Sequence, residues 1–313
     1  MRIGRLLPAM FIALTLVSGI AKAQQRVFVS AATGNDANAC SVTAPCRSFS
    51  RAMTVVSLGG EILALDSGGF GPVSVASSVS IVAPLGVEGS ITQGTAGQDA
   101  ITINAPGANV VLRGLGLFGL GTGQDGIGVF AAATVSIQSC NISGFSGNGI
   151  SVTVSNPAAI SIIDTVASSN VSNGAYFIAG GNDYALFTID HCRFLDNAFS
   201  GVNSFQGGHG TVHNTLTTGG LYGIVAQTVA PGQTATVTIE DCVVTRASII
   251  GIGDAGDGST GVEFMYVSNT LVTQNANGVS NFSDANAHIL SRSDNTVIDN
   301  TANGAFTGTF SAQ

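Results

Sequence analysis

Charge is scarce in this 313-residue chain: only 9% of the residues are Asp, Glu, Lys or Arg, and beyond Lys22 there is no lysine at all. Past the first 23 residues, seven arginines (Arg26, Arg47, Arg51, Arg113, Arg193, Arg246 and Arg292) stand against 18 acidic residues, a net charge of −11. The arginines are scattered, so the chain offers no basic patch to hold nucleic acid or an anionic lipid surface. After the N-terminus it also lacks any apolar run near the roughly 20 residues that a membrane-spanning helix needs. Little charge and 42 glycines would suit a low-complexity chain, but Val and Ile recur at regular positions and argue for a folded stack.

At the N-terminus Arg2 and Arg5 precede an apolar run from Leu6 to Ile20, followed by Ala21-Lys22-Ala23. A basic start, an apolar middle and a small-x-small end predict a secretory signal cleaved after Ala23. A membrane anchor needs a longer run, and this one contains Pro8. The mature protein is therefore expected to be soluble and exported, either secreted or periplasmic.

From Leu112 onward one unit returns about every 25 residues. Ile137-Gln-Ser-Cys140-Asn-Ile142, Ile189-Asp-His-Cys192-Arg-Phe194 and Ile239-Glu-Asp-Cys242-Val-Val244 each read apolar, two polar, a small corner residue, any residue, apolar. A Gly-apolar pair starts nine residues after each corner, at Gly149, Gly201 and Gly251. The same spacing fits Thr165/Gly174, Asn214/Gly223, Asn269/Gly278 and Asn295/Gly304, and Leu115/Gly126 fits with two residues inserted. Repeats this short, built from β-branched runs, bury their apolar residues only by stacking, which predicts a solenoid. Strands are also expected over 61–65, 73–75, 79–82, 100–103 and 110–112. Phe49, Ala52, Met53 and Val56 have helical spacing within 47–57, which predicts a short amphipathic helix covering the first coil.

The five cysteines fall into two groups. Cys40 and Cys46 flank a polar loop, and in an exported chain they are expected to form a disulfide. Cys140, Cys192 and Cys242 share the corner position on alternate coils. With coils about 4.8 Å apart their sulfurs would lie roughly 10 Å apart, too far to bridge, so they read as buried small residues.

The stretches Val27-Phe-Val-Ser-Ala-Ala-Thr-Gly-Asn-Asp36, Ala44-Pro-Cys-Arg-Ser-Phe-Ser-Arg-Ala-Met53 and Gly59-Gly-Glu-Ile-Leu-Ala-Leu65 resemble the opening of secreted right-handed parallel β-helix proteins of the pectin-lyase-like superfamily. The resemblance covers about residues 26 to 310. It implies an all-β, three-stranded parallel β-helix over 59–313, preceded by a strand, loop and capping helix over 24–58 and the signal over 1–23. It also implies that Gly-apolar starts the first strand of each coil, Ile-x-x-Cys forms the second, and the residues after the corner form the third. Lyases, hydrolases and adhesins all share this architecture, so the fold leaves activity open.

Superfamily members that cut polysaccharide work on the outer face of the first strand. Here alternation sends Ile150, Val202, Ile224, Ile252 and Val279 inward and Ser151, Tyr176, Asn203, Val225, Gly253, Ser280 and Phe306 outward. No outward residue is a carboxylate, lysine or arginine, so catalytic groups would have to come from loops: Asp183, Gln206, His209, Asp254 and Asp257 after the strand, or Asp196 and Arg246 before it. Gly208-His209-Gly210 is similar to a polygalacturonase segment, but the accompanying Asn-Thr-Asp, Asp-Asp and Arg-Ile-Lys are missing, and glycoside hydrolysis usually needs two carboxylates. Lyase chemistry asks for an Arg or Lys base beside calcium-binding acids, which the chain does not assemble.

One further set comes from register alone. Just before the corners stand Asp164, His191, His213 and Asp241, which stacked coils would bring within reach of Asp–His hydrogen bonds or a two-His-plus-carboxylate metal site; solvated corner residues are the plainer reading. Gly253-Asp254-Ala-Gly-Asp257-Gly-Ser259 reads better as a glycine-rich turn than as a calcium loop, since calcium wants six to eight oxygens. No cofactor is required, with calcium left as the open alternative. The expected role is non-catalytic binding of a polysaccharide or cell-surface glycan around Tyr176, Asn203, Gln206 and His209. A polysaccharide lyase or hydrolase and a structural or adhesive stalk are the alternatives.

Overall fold

The computed structural model describes residues 25–181, 183–255, 261–282 and 284–311; the signal expected over residues 1–23 lies outside them. The chain winds through three parallel sheets of ten, twelve and ten strands, visiting each sheet once per coil. One coil runs from Ile150–Val154 in the first sheet to Ala158–Ile163 in the second and Val166–Ser168 in the third.

Stacking turns the sequence repeat into ladders. Ile137, Ile162, Ile189, Val212, Ile239 and Val267 pair in register along the second sheet. Ile142, Ala167, Phe194, Thr217, Val244 and Val272 do so along the third. Ile127, Ile150, Ala175, Val202, Ile224, Ile252 and Val279 form the first-sheet ladder. All three sets are buried in one continuous core apart from the polar Thr217, itself buried among them. Each apolar side chain covers its neighbours one coil above and below, which is why the β-branched positions recur.

At the bend from the second sheet to the third, one residue adopts the left-handed conformation: Ser139, Asp164, His191, Asn214, Asp241 and Asn269. Asn and Asp tolerate that region because their short polar side chains bond locally. The true corner residue follows, and here the spacing rule needs correction. Asn214 and Asn269 occupy the left-handed position, and Thr215 and Thr270 are the corners. The reason is a hydrogen bond between coils: Cys140, Cys192 and Cys242 donate their backbone N–H to Oγ1 of Thr165, Thr215 and Thr270 at 3.2, 3.2 and 3.3 Å, across coils of 25, 23 and 28 residues. Cysteine and threonine thus alternate as donor and acceptor, and the three thiols are buried and free.

Arg26–Val29 pairs in parallel with Gly60–Ala64, so the N-terminal strand is the first strand of the second sheet. Cys40 and Cys46 form a disulfide in the loop that follows. The helix spans only Phe49–Met53 rather than 47–57. Ser48 caps it by accepting from Arg51 N–H, and Asp36 in turn accepts from the Arg47 and Ser48 N–H groups at 2.8 and 2.9 Å. Thr54 closes it, and the β-branched Val55 and Val56 lead to Gly59 at φ 74°, where the chain turns into the next strand. Phe49 and Ala52 are buried, with Phe49 packed on Phe70 at 4.9 Å, so the helix shields apolar groups at the N-terminal end of the stack.

Candidate functional site

The outer face of the first sheet carries Thr102, Gly128, Ser151, Tyr176, Asn203 and Val225 in register. Beside it runs a row that the alternation pattern does not reveal. Asp125, Asn148, Asn173 and Ser200 each stand immediately before a coil's glycine, and Asp99 stands before Ala100 in the same place. Asp125 Oδ1 accepts from both the backbone N–H and Nδ2 of Asn148, at 2.6 and 3.1 Å. Asn148 Oδ1 accepts the same pair from Asn173, at 3.1 and 2.8 Å, and Ser200 donates its hydroxyl to Asn173 Oδ1. These side chains form a polar rail along five coils.

At its N-terminal end the rail brings two carboxylates to the sheet face. Thr102 Oγ1 donates to Asp99 Oδ2 at 3.2 Å, and the Asp125 N–H donates to Asp99 Oδ1 at 3.3 Å. A Cβ at position 128 would fall 2.3 Å from Asp99 Oδ2, so glycine there is what lets the carboxylate lie across the sheet. Burial, joined for Asp99 by the neighbouring Asp125 charge, holds both carboxyls above their ordinary pKa. The outward register itself holds no carboxylate, as alternation predicts; Asp99 and Asp125 enter from the bends before the strands and are a correction to the loop residues expected to supply charge. The signal of the two in the sequence was the polar residue just before Gly-apolar at Asp125, Asn148 and Asn173, with Asp99 before Ala100-Ile101 in the same place.

Further along, Asn148, Asn173, Tyr176, Phe199, Asn203 and Phe205 line a hollow of about 300 Å³. Tyr176 and Phe205 lie 5.8 Å apart with planes inclined by 39°. Burial pushes the Tyr176 hydroxyl up to about 12. Asn203 is only 2% exposed, and its Oδ1 is shut from solvent without a hydrogen-bond donor. Beyond it the face closes: Val225 is sealed in a small apolar cluster with Tyr222 and Ile250, against which Phe199 packs. At the other end Ser50, Met53 and Thr54 of the helix region face Ser74, Gln93 and Asp99 across a hollow of about 380 Å³. At about 4.8 Å per coil the face from Ser74 to Asn203 is about 24 Å long.

Of the residues expected to work together, Tyr176 and Asn203 do share this face. Gln206 lies past them in the bend to the second sheet, its Oε1 buried, and Phe205 takes the place beside Tyr176. His209 is a correction: it is in the strand Gly208–His213 of the second sheet, beside Leu186 and Thr236, and not in a loop of the first-sheet groove. Gly207, at φ 77°, turns the chain from one sheet to the next before His209 is reached. There Tyr184 meets the imidazole edge-on at 4.8 Å, Thr234 Oγ1 lies 3.1 Å from Nε2, and burial lowers the imidazole's pKa. Asp183 sits in the preceding bend, with its N–H directed to Gly180 O at 3.4 Å.

The Asp–His set converges, but with a different membership. His213 Nδ1 lies 3.1 Å from Asp190 Oδ1 and its Nε2 3.0 Å from Asp241 Oδ2, while His191 Nδ1 lies 2.9 Å from Asp190 Oδ1. Asp190 stands where Asp164 was expected, because His213 ends its strand one residue before the left-handed position and so pairs in register with Asp190. Slight burial disfavours a charged His213, yet the two carboxylates outweigh it and its pKa is raised. Asp190 and Asp241 are held below the ordinary carboxylate value, Asp190 by its histidine and Asn214 contacts against slight burial, Asp241 by Asn269 and then His213. Among the described residues no three His, Cys, Asp or Glu side chains are grouped to hold a metal ion. The cluster lies at the bend between the second and third sheets, away from the rail. Asp196 faces Arg246 at 3.5 Å at the other end of the third sheet. Asp254 is buried, and most of the glycine-rich turn that follows, including Asp257 and Ser259, lies outside the described residues.

The sequence profile described as the right handed beta helix region matches residues 125–302. No curated protein matches the chain. Among solved structures the chain is similar to pectate lyase Pel9A at a TM-score of 0.66 and 15% identity, covering 91% of this chain and 80% of that one. A rhamnogalacturonan lyase aligns at a TM-score of 0.48 and 10% identity, over 90% and 88% of the two chains. The first of these likenesses is one of fold.

Proposed function

This chain belongs to the right-handed β-helix family, and on that premise we propose that it is an exported protein that binds a glycan along the outer face of its first sheet without cleaving it. The observation that carries the reading is the hollow where Tyr176 and Phe205 stand beside Asn148, Asn173 and Asn203. An aromatic face covers the C–H side of a sugar ring, and amides both donate to and accept from hydroxyls. Binding of this kind needs no cofactor. The length of the face, about 24 Å, suits a chain of several sugars. Export is supported by the Cys40–Cys46 disulfide, and no helix among the described residues is long and apolar enough to cross a membrane. Calorimetric titration with polysaccharide fragments should show binding that Tyr176→Ala weakens at least about tenfold; absence of binding at millimolar ligand would favour a stalk.

Asp99 and Asp125 favour one second reading, a glycoside hydrolase, because both lie on the same face with raised pKa values, as a general acid requires. Neither carboxylate lines the hollow beside Tyr176, which is why binding ranks first. A reducing-end assay separates the two: turnover abolished by Asp99→Asn or Asp125→Asn would establish the hydrolase.

A further inference from the structure

The distribution of charge along the groove narrows the ligand further. The hollow is lined by amides, hydroxyls and aromatic rings and by no ionisable group other than the Tyr176 phenol. The nearest charges on its rail are carboxylates: Asp125 is hydrogen-bonded to Asn148, which itself lines the hollow, and Asp99 follows one coil away. The guanidinium groups lie elsewhere. Arg113 bonds to Gln138 at the end of the second sheet, Arg193 begins a third-sheet strand, and Arg246 and Arg292 face Asp196 and Glu240. Arg26 pairs with Glu61, and Arg47 donates to Gly69 O. Arg51 bonds to Thr54 at the rim of the far hollow, about four coils along the stack from Tyr176, and Arg246, at the bend that leaves the third sheet, is held by Asp196 and Thr218.

A sugar acid seated at Tyr176 would therefore find, among the described residues, no cation in the lining of the hollow and two carboxylates on the rail ahead of it. Like charges brought together in a half-buried groove cost affinity, and a buried anion without a partner costs more. Hydroxyls and acetamido groups meet no such penalty and match the amide lining. We propose that this groove selects uncharged sugar units and turns uronates away, and that Asp99 and Asp125 are its specificity residues. The inference rests on the glycan-binding reading.

The test is calorimetric titration of the mature protein with neutral β-glucan and galactan oligosaccharides and with oligogalacturonate of the same length. At least one neutral oligosaccharide should bind about tenfold or more tighter than oligogalacturonate. Raising NaCl to about 0.5 M should narrow that gap by screening the carboxylates. Asp99→Asn and Asp125→Asn, each checked for a native melting transition, should narrow it from the uronate side, while Tyr176→Ala should weaken the neutral ligand. Oligogalacturonate binding as tightly as the neutral ligands, and lost in Tyr176→Ala, would overturn the selectivity while leaving the glycan groove standing. Failure of both ligand classes to bind would overturn the glycan-binding reading itself.

Discussion

Asn173 donates twice to a single atom of Asn148: its backbone N–H and its Nδ2 reach Asn148 Oδ1 at 3.1 and 2.8 Å. The same double bond is made one coil earlier by Asn148 to Asp125. Asp99, Asp125 and Asn148 thus each accept the backbone N–H of the next coil, and Asn173 ends the series by accepting the Ser200 hydroxyl. Asn148→Ala would strand the donors of Asn173 and leave the buried Asp125 carboxylate underpaired. It should destabilise the fold by about 1–3 kcal/mol, measured by urea denaturation. A change below a few tenths of a kcal/mol would show the rail to be decorative.

Asp99 illustrates stability given up at the groove. Its folded pKa stands above the ordinary value, so its favourable contribution is complete below the unfolded pKa near 3.8 and is lost as pH rises through the folded value. The ionised group is thus a burden at neutral pH. Asp99→Asn, which cannot ionise, should raise the melting temperature at pH 7, with the gain fading at about pH 4 and below. An unchanged melting temperature at pH 7 would contradict this.

His213 should show the opposite kind of dependence. Its pKa is raised on folding from a value near 6.5, so the stability it lends is full below that value and is lost as pH climbs through the folded one. Asp190 and Asp241 have lowered pKa values, and their share disappears as acid protonates them. The cluster therefore contributes most between the carboxylate range and about pH 6.5. His213→Gln should be less stable than the parent at about pH 5.5, and the difference should shrink above about pH 8. A difference independent of pH would assign His213 a packing role only. Proton NMR of the imidazole would report the raised pKa directly.

The three corner thiols should be inert. Burial pushes Cys140 up to about 11 and Cys192 and Cys242 up to about 12. A thiol reagent at pH 8 should label none of them in the native protein and all three once it is unfolded. Because Thr165 Oγ1 bonds to Ile163 O just as Cys192 Sγ bonds to Asp190 O, Cys192→Thr should cost less than about 1.5 kcal/mol.

Opening the Cys40–Cys46 disulfide by a Cys40→Ser, Cys46→Ser pair should cost about 2 kcal/mol, given the short loop it closes. Loosening should centre on the loop that presents Asp36 to the helix start at Ser48. Hydrogen exchange of the Phe49–Met53 amides is the local readout, and unchanged protection there would separate the disulfide from the cap.

The coil was legible in the sequence because burial in a solenoid demands the same residue class at the same register on every turn. Ile137, Ile162, Ile189 and Ile239 fall into one register by the spacing rule and lie on one ladder, while Val212 and Val267 join it only with the corners at Thr215 and Thr270. Tyr176 and Asn203 were placed on one outer face by alternation alone, since strand geometry is local. The corner was legible only to within one residue. Asn214 and Thr215 are both acceptable there, and the choice is made by the Cys192 N–H from the neighbouring coil.

What the tertiary structure decided is whatever depends on contacts between coils or on the direction of a bend. His209 follows Gln206 by three residues, yet the left-handed turn at Gly207 moves it to a different sheet from Tyr176. Asp99, Asp125, Asn148 and Asn173 are ordinary polar residues one at a time. They become a rail only because stacked coils set the side chains of Asp99, Asp125 and Asn148 within hydrogen-bonding distance of the next coil's backbone N–H, and that of Asn173 beside the Ser200 hydroxyl. Periodicity in a chain specifies which residues must be buried, while the partners of its polar atoms are set by neighbours some 25 residues away.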